Sequence, residues 1–189
     1  MILLRITGGE VKGRRLVSLK GLHIRPSSDK VREAIFNIIG QDITGFKVLD
    51  LFAGTGSLGL EALSRGASRA LFIDNLQQSV SLIKKNLKVC GYESSGSILK
   101  KDLTRGLPGK YALMKKKYDL VFFDPPYGKD LIPPLVRELI EREILAPSSR
   151  VVAESSKNDI LPNIWGKLQL TTKRIYGESK ITIYHYGGN

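Results

Sequence analysis

From residue 47 onward the chain alternates short apolar runs with stretches whose apolar residues recur every three or four positions. KVLDLFA (47–53), RALFID (69–74), SILKKD (97–102), YDLVFFD (118–124) and RVVAES (150–155) have the length and composition of strands. Helical spacing predicts helices over 58–65, 76–90 and around 131–144, the first two stopped by Gly66 and Gly91. Apolar strands separated by helices imply a parallel sheet covered on both faces. The last two runs, 168–176 and 180–186, are joined by Gly177-Glu178-Ser179 and predict an antiparallel hairpin. The fold class is therefore α/β: an open, mostly parallel sheet with an antiparallel C-terminal edge.

Before residue 47 the pattern changes. Residues 2–18 predict a β-hairpin around Gly8-Gly9, and 29–39 an amphipathic helix begun by Pro26 and Ser27-Ser28 and ended by Gly40. Its apolar positions are Val31, Ala34, Ile35, Ile38 and Ile39, which leaves Lys30, Arg32, Glu33 and Asn37 on other faces. One domain is expected, with an N-terminal extension over 1–45 and an α/β core over 46–189.

Composition narrows the partners. Thirty Lys and Arg against eighteen Asp and Glu give a formal charge of +12, and residues 1–40 hold eight basic residues to three acids. Such an excess favours a polyanion, since each phosphate contact releases condensed counterions. A single cysteine excludes an internal disulfide and fits a reducing cytosol. His23 and His185 lack ligand spacing, so no metal is expected. MILLRITGGE is too short an apolar run for a secretory leader, and no segment approaches a membrane span.

The chemistry concentrates at strand ends, where ligands of open α/β sheets bind. VLDLFAGTGSLGLEA places Gly54, Gly56 and Gly59 between a strand and a helix, with Phe52 at the loop's start. Asp50 would set a like charge against a pyrophosphate. S-adenosylmethionine fits better, having an ammonium, a sulfonium and a carboxylate that can take helix N-terminal N–H groups. Asp50 is then placed to hold the ammonium, directly or through water. Asp74 is placed for the ribose hydroxyls and Asp102 for the adenine amine. Ser57 is either a ligand for the carboxylate or, preferred here, the helix cap. A fourth strand ends in Asp124-Pro125-Pro126-Tyr127, a lip stiffened by two prolines.

The glycine loop, the acids at successive strand ends and DPPY resemble class I S-adenosylmethionine-dependent methyltransferases of exocyclic amines, which have a Rossmann-like fold. In that setting the Asp124 carboxylate and Pro125 carbonyl would accept the two N–H groups of a base amine, freeing its lone pair. Tyr127 would stack on the base, a contact worth ~1–3 kcal/mol. RITGGEVKGRRL, RPSSDKVREAIFNII and the terminal YGESKITIY further resemble the D-type bacterial 16S rRNA guanine-N2 methyltransferases across essentially the whole chain. That resemblance implies transfer of one methyl group to a guanine N2 in small-subunit rRNA, on the particle or an assembly intermediate. It also implies a cytoplasmic enzyme, expected here to be a monomer. Lys12, Arg14, Arg15, Arg25, Lys30 and Arg32 form the expected phosphate-tracking surface. Two positions depart from the family: Asp74 is often Glu, and Lys30 is often Arg.

Three other readings stand beside this one. An adenine-N6 DNA methyltransferase would need a duplex-recognition domain for which 189 residues leave little room. A non-catalytic RNA-binding assembly factor would not require the intact Asp50, Gly54, Gly56, Asp124 and Tyr127. A nicotinamide oxidoreductase is disfavoured by Asp50 and by the acceptor-rich lip.

Overall fold

A computed structural model describes residues 4–18, 29–109 and 111–187. The apolar runs become β1 (Lys47–Leu51), β2 (Arg69–Asp74), β3 (Gly96–Lys100), β4 (Tyr118–Phe123) and β5 (Leu145–Ser156). The helices are α1 (Asp29–Ile39), α2 (Ser57–Ser64), α3 (Gln77–Cys90) and α4 (Ile132–Glu141), and the end of the chain supplies β6 (Ile164–Trp165), β7 (Leu168–Tyr176) and β8 (Ser179–Tyr186). They form one eight-stranded sheet in the order β3-β2-β1-β4-β5-β8-β7-β6. Pairing is parallel from β3 through β5 and antiparallel from β5 to β6. The expected mixed sheet is the observed one.

Strand alternation divides the core in two. Val48, Phe72, Phe122 and Val152 pack with α1, α2 and α3 on one face; Leu49, Ile73, Phe123 and Ala153 pack with α4 on the other. Because both faces are covered, these strands are apolar at nearly every position. The strand order reverses between β1 and β4, which opens a crevice above their carboxyl ends.

The structure departs from the sequence pattern in several places. Among the described residues the N-terminal arms meet in an isolated bridge, Arg5 with Arg15, and the turn runs through Gly13 rather than closing at Gly8-Gly9. The cause is docking: the N–H groups of Glu10 and Val11 bond the Ser64 carbonyl and hydroxyl at the end of α2. Gly9 sits there at φ 78°, and a Cβ would lie 1.8 Å from the Ser64 carbonyl oxygen. β5 begins at Leu145, five residues before the predicted start at 150, through an irregularity in its pairing with β4. Pro147 lacks an N–H for the ladder there, and Ser148 adopts a positive φ. The expected start of α1 at Pro26 to Ser28 lies outside the described residues.

Candidate active site

The loop between β1 and α2 is shaped from beneath by two acids. Phe52, Gly54 and Gly56 all have positive φ, at 62°, 54° and 77°. The Asp50 carboxylate accepts the Gly59 N–H at 2.9 Å. Asp74 accepts the Gly54 N–H on one oxygen and the Leu76 N–H on the other, both at 2.9 Å. It thereby ties the glycine loop to the start of α3. Gly59 is required by packing, because a Cβ would lie 2.3 Å from the Phe72 ring. Asp50 is 1% exposed, and burial pushes its carboxyl up to about 7 against the opposing effect of the Gly59 N–H, with Asp74 adding a smaller push upward. The residue read as an ammonium partner therefore lies under the loop with one oxygen engaged. Ser57 does not cap α2: it is the first helical residue, and Gly56 takes the cap position with no side-chain bond.

Asp102 lies two residues past β3. One of its oxygens accepts from the N–H and hydroxyl of Thr104 at 3.0 and 2.7 Å, which holds its carboxyl below the usual range. Its immediate work is to cap a short 3-10 turn over Leu103–Arg105. The strand predicted to run to Asp102 thus ends at Lys100, and the carboxylate just beyond it is partly committed.

On the far side of the crevice, β4 stops at Phe123, and the Asp124 N–H still reaches the Leu51 carbonyl at 3.4 Å. The lip is thus fastened to the strand that leads into the glycine loop. Asp124 is half-buried, Pro125 buried, and Pro126 and Tyr127 exposed. The Tyr127 hydroxyl lies 2.7 Å from the Ser179 hydroxyl and donates to Glu154 at 3.3 Å. Partial burial chiefly raises the phenol's pKa, opposed by the Ser179 bond and reinforced by Glu154 and Asp124. Tyr127 consequently stays neutral, with its ring edge-anchored at the rim. Glu154 belongs to the strand beside β4, and the alternation on β5 puts it on the same sheet face as Val152. Asp50 and Asp74 share that face by the same count. An open groove of about 280 Å³ runs beside the lip, walled by Pro125, Tyr127, Leu131, Ser155, Ile160 and Leu161.

The basic residues divide. Lys12, Arg14, Arg15 and Lys30 are exposed, whereas Arg25 lies outside the described residues. Arg32 does not join the expected phosphate-tracking surface: it is 0% exposed and donates to the Arg5 carbonyl and to Asp29, both at 2.6 Å. Its Nε lies 3.8 Å from Glu61, a buried acid that also accepts from the Thr7 N–H and hydroxyl at 2.8 Å and from Arg65. Arg32 therefore binds the N-terminal arm to α2 and presents no guanidinium to a phosphate. Helical periodicity counts residues around an axis; it does not reveal that a buried carboxylate waits opposite one polar position.

Ser179 carries no signal as a site residue, and no spacing in the sequence places Glu154, an acid within the apolar run 150–155, at the site. Their convergence on Tyr127 depends on the register of β5 against β8, with Ser156 opposite Ser179. Among the described residues no cluster could hold a metal ion, and no helix is long and apolar enough to cross a membrane.

This geometry joins a glycine loop organised by buried acids to a DPPY lip across the topological switch. The family described as conserved hypothetical protein 95 matches residues 4–185. The chain belongs to this family. It is 36% identical to the Bacillus subtilis protein YlbH over 98% of this chain and 100% of that protein. It is 31% identical to "Ribosomal RNA small subunit methyltransferase D" of Escherichia coli, covering 96% and 89% of the two chains. The solved structure of the Escherichia coli protein yhhF superposes with a TM-score of 0.85 at 28% identity, covering 99% of each chain. The D-type resemblance read from the sequence thus holds along the chain, including its N-terminal extension.

Proposed function

We propose that this protein transfers a methyl group from S-adenosylmethionine to the N2 amine of a guanine in 16S rRNA. The observation that carries the reading is the lip: a carboxylate and a proline carbonyl at the end of β4, followed after one more proline by a tyrosine anchored by Ser179 and Glu154. The N-terminal extension, shared with relatives named for small-subunit rRNA, supports the substrate class. The donor set supports the cofactor, because buried carboxylates behind the loop disfavour a pyrophosphate and suit a cationic ligand. Phe52, Gly54 and Gly56 would line the cofactor, Asp74 would face its ribose, and Asp102 would lie at its adenine end.

Bound S-adenosylmethionine would supply a methyl group already activated by its sulfonium. What remains for the protein is to orient a weak nucleophile. The lone pair of a base amine is delocalised into the ring. Asp124 and the Pro125 carbonyl, each accepting one amine N–H, favour a pyramidal nitrogen whose lone pair points away from the lip. Asp124 then takes the proton released on transfer. Tyr127 lies against the base and holds its plane.

Exposed Lys12, Arg14, Arg15 and Lys30 would track the backbone. The protein would act as a cytoplasmic monomer on small subunits or their assembly intermediates.

The test incubates the protein with labelled S-adenosylmethionine and small subunits from cells lacking it, with free 16S rRNA and duplex DNA alongside. Label in N2-methylguanosine is expected. Label in N6-methyladenine would favour the adenine enzyme, and cofactor binding without transfer to any of the three would favour the assembly factor.

A further inference from the structure

The turn between β5 and β6 carries Ile160, which is 94% exposed. Single exposed apolar residues are ordinary on protein surfaces. Two features distinguish this one. The turn is pinned on both sides of it. Asp159 bonds the Ser156 N–H at 3.0 Å, and the Lys180 ammonium donates to the Lys157 and Asp159 carbonyls. Beyond Ile160, Leu161 is buried and the Tyr184 hydroxyl donates to the Pro162 carbonyl at 2.8 Å. The β-branched side chain is itself stiff, so both backbone and side chain hold the methyl groups outward.

The second feature is location. Ile160 walls the groove that Pro125, Pro126 and Tyr127 also line, with Lys129 on the same groove. The other strongly exposed isoleucines, Ile164 and Ile175, belong to the outer strands β6 and β7. An apolar point beside a base-binding lip, on a protein of net charge +12, has the character of the wedges that nucleic-acid-binding proteins insert between bases.

Resting on the proposed amine methylation, we infer that Ile160 is an apolar wedge that packs on the base next to the target guanine. It would occupy the space vacated when that guanine leaves the stack to reach Asp124. A base must come out of its stack for chemistry on its exocyclic group, and the cost falls when something fills the gap.

The test compares wild type, Ile160→Ser and Ile160→Leu on small subunits lacking the methyl group and on a short unstructured guanine-containing RNA. Such an exposed position leaves folding intact. Ile160→Ser should lower kcat/KM on particles about tenfold or more, with Ile160→Leu close to wild type and all three equal on the unstructured RNA. A photoreactive aliphatic residue at position 160 should crosslink to 16S rRNA next to the methylated guanine. Equal rates on particles, equal losses on both substrates, or a crosslink to a ribosomal protein would each overturn the wedge. Product analysis of the wild type separates the two levels: without N2-methylguanosine the functional reading itself fails, and the wedge with it.

Discussion

The two walls of the crevice are built differently. The glycine loop is fastened from beneath by nearby residues: Asp50 bonds Gly59 nine positions on, and Asp74 bonds Gly54 twenty positions back. The DPPY lip is fastened at its outer end by residues 27 and 52 positions away, Glu154 and Ser179. The loop's acids are buried, whereas Tyr127 is 41% exposed. A cofactor of constant shape suits a preformed cradle. A large RNA delivering one base suits a lip that presents an aromatic ring at the surface while its acceptors stay fixed by proline.

The sharpest way to test that division is Asp124→Ala. It should reduce methyl transfer by about 10²–10⁴-fold, the span usual for a positioned proton acceptor. Cofactor affinity, measured by calorimetry, should stay near wild type because the loop is held by other residues. Loss of cofactor binding in this variant would show that the walls are not separable.

Behind the loop wall, Glu61→Ala should act on stability instead. The substitution removes the carboxylate that Arg65, 6% exposed, bonds twice and that lies 3.8 Å from the buried Arg32, and breaking a buried pair this way costs about 3–5 kcal/mol. Urea unfolding reads this directly. An unchanged midpoint would mean that the N-terminal arm contributes little to holding α2.

Asp50 adds a dependence on pH. Burial raises its folded carboxyl to about 7, above the ~3.9 of an unfolded aspartate, so the folded state binds more protons than the unfolded state between those values. Stability therefore falls as pH rises from about 4 to about 7 and is level above that. Asp50→Asn keeps an oxygen for the Gly59 N–H and removes the titration, so this part of the slope should vanish. Persistence of the full slope would assign it to another group.

How far the sequence foretold each wall follows from the same difference. The glycine loop is legible because strand, turn and helix follow one another in the chain, and Asp50 and Asp74 are legible as acids at strand ends, although their bonds to Gly59 and Gly54 are not. The lip is legible as a motif, since Pro125 and Pro126 can only end a strand. The anchor of Tyr127 is not, because it requires β8 to pair antiparallel with β5 in one register, and a slip of one residue would turn Ser179 to the other face. Arg32 misled for a related reason. Its helix face was readable, but Thr7 and Glu61, which close around the same site, lie 25 and 29 positions away.

The smallest effect discriminates most finely between anchored and free lips. Ser179→Ala removes the shorter of the two bonds to the Tyr127 hydroxyl, a net interaction of about 0.5–1.5 kcal/mol. A several-fold loss in kcat/KM on small subunits is expected, with cofactor affinity unchanged. Tyr127→Phe deletes the same bond from the other end while keeping the ring for stacking. If the two hydroxyls act as one unit, the double variant should be no worse than the more impaired single variant. Additive losses would mean that Ser179 and Tyr127 serve the reaction independently, and the bond between their hydroxyls would then not be what positions the lip.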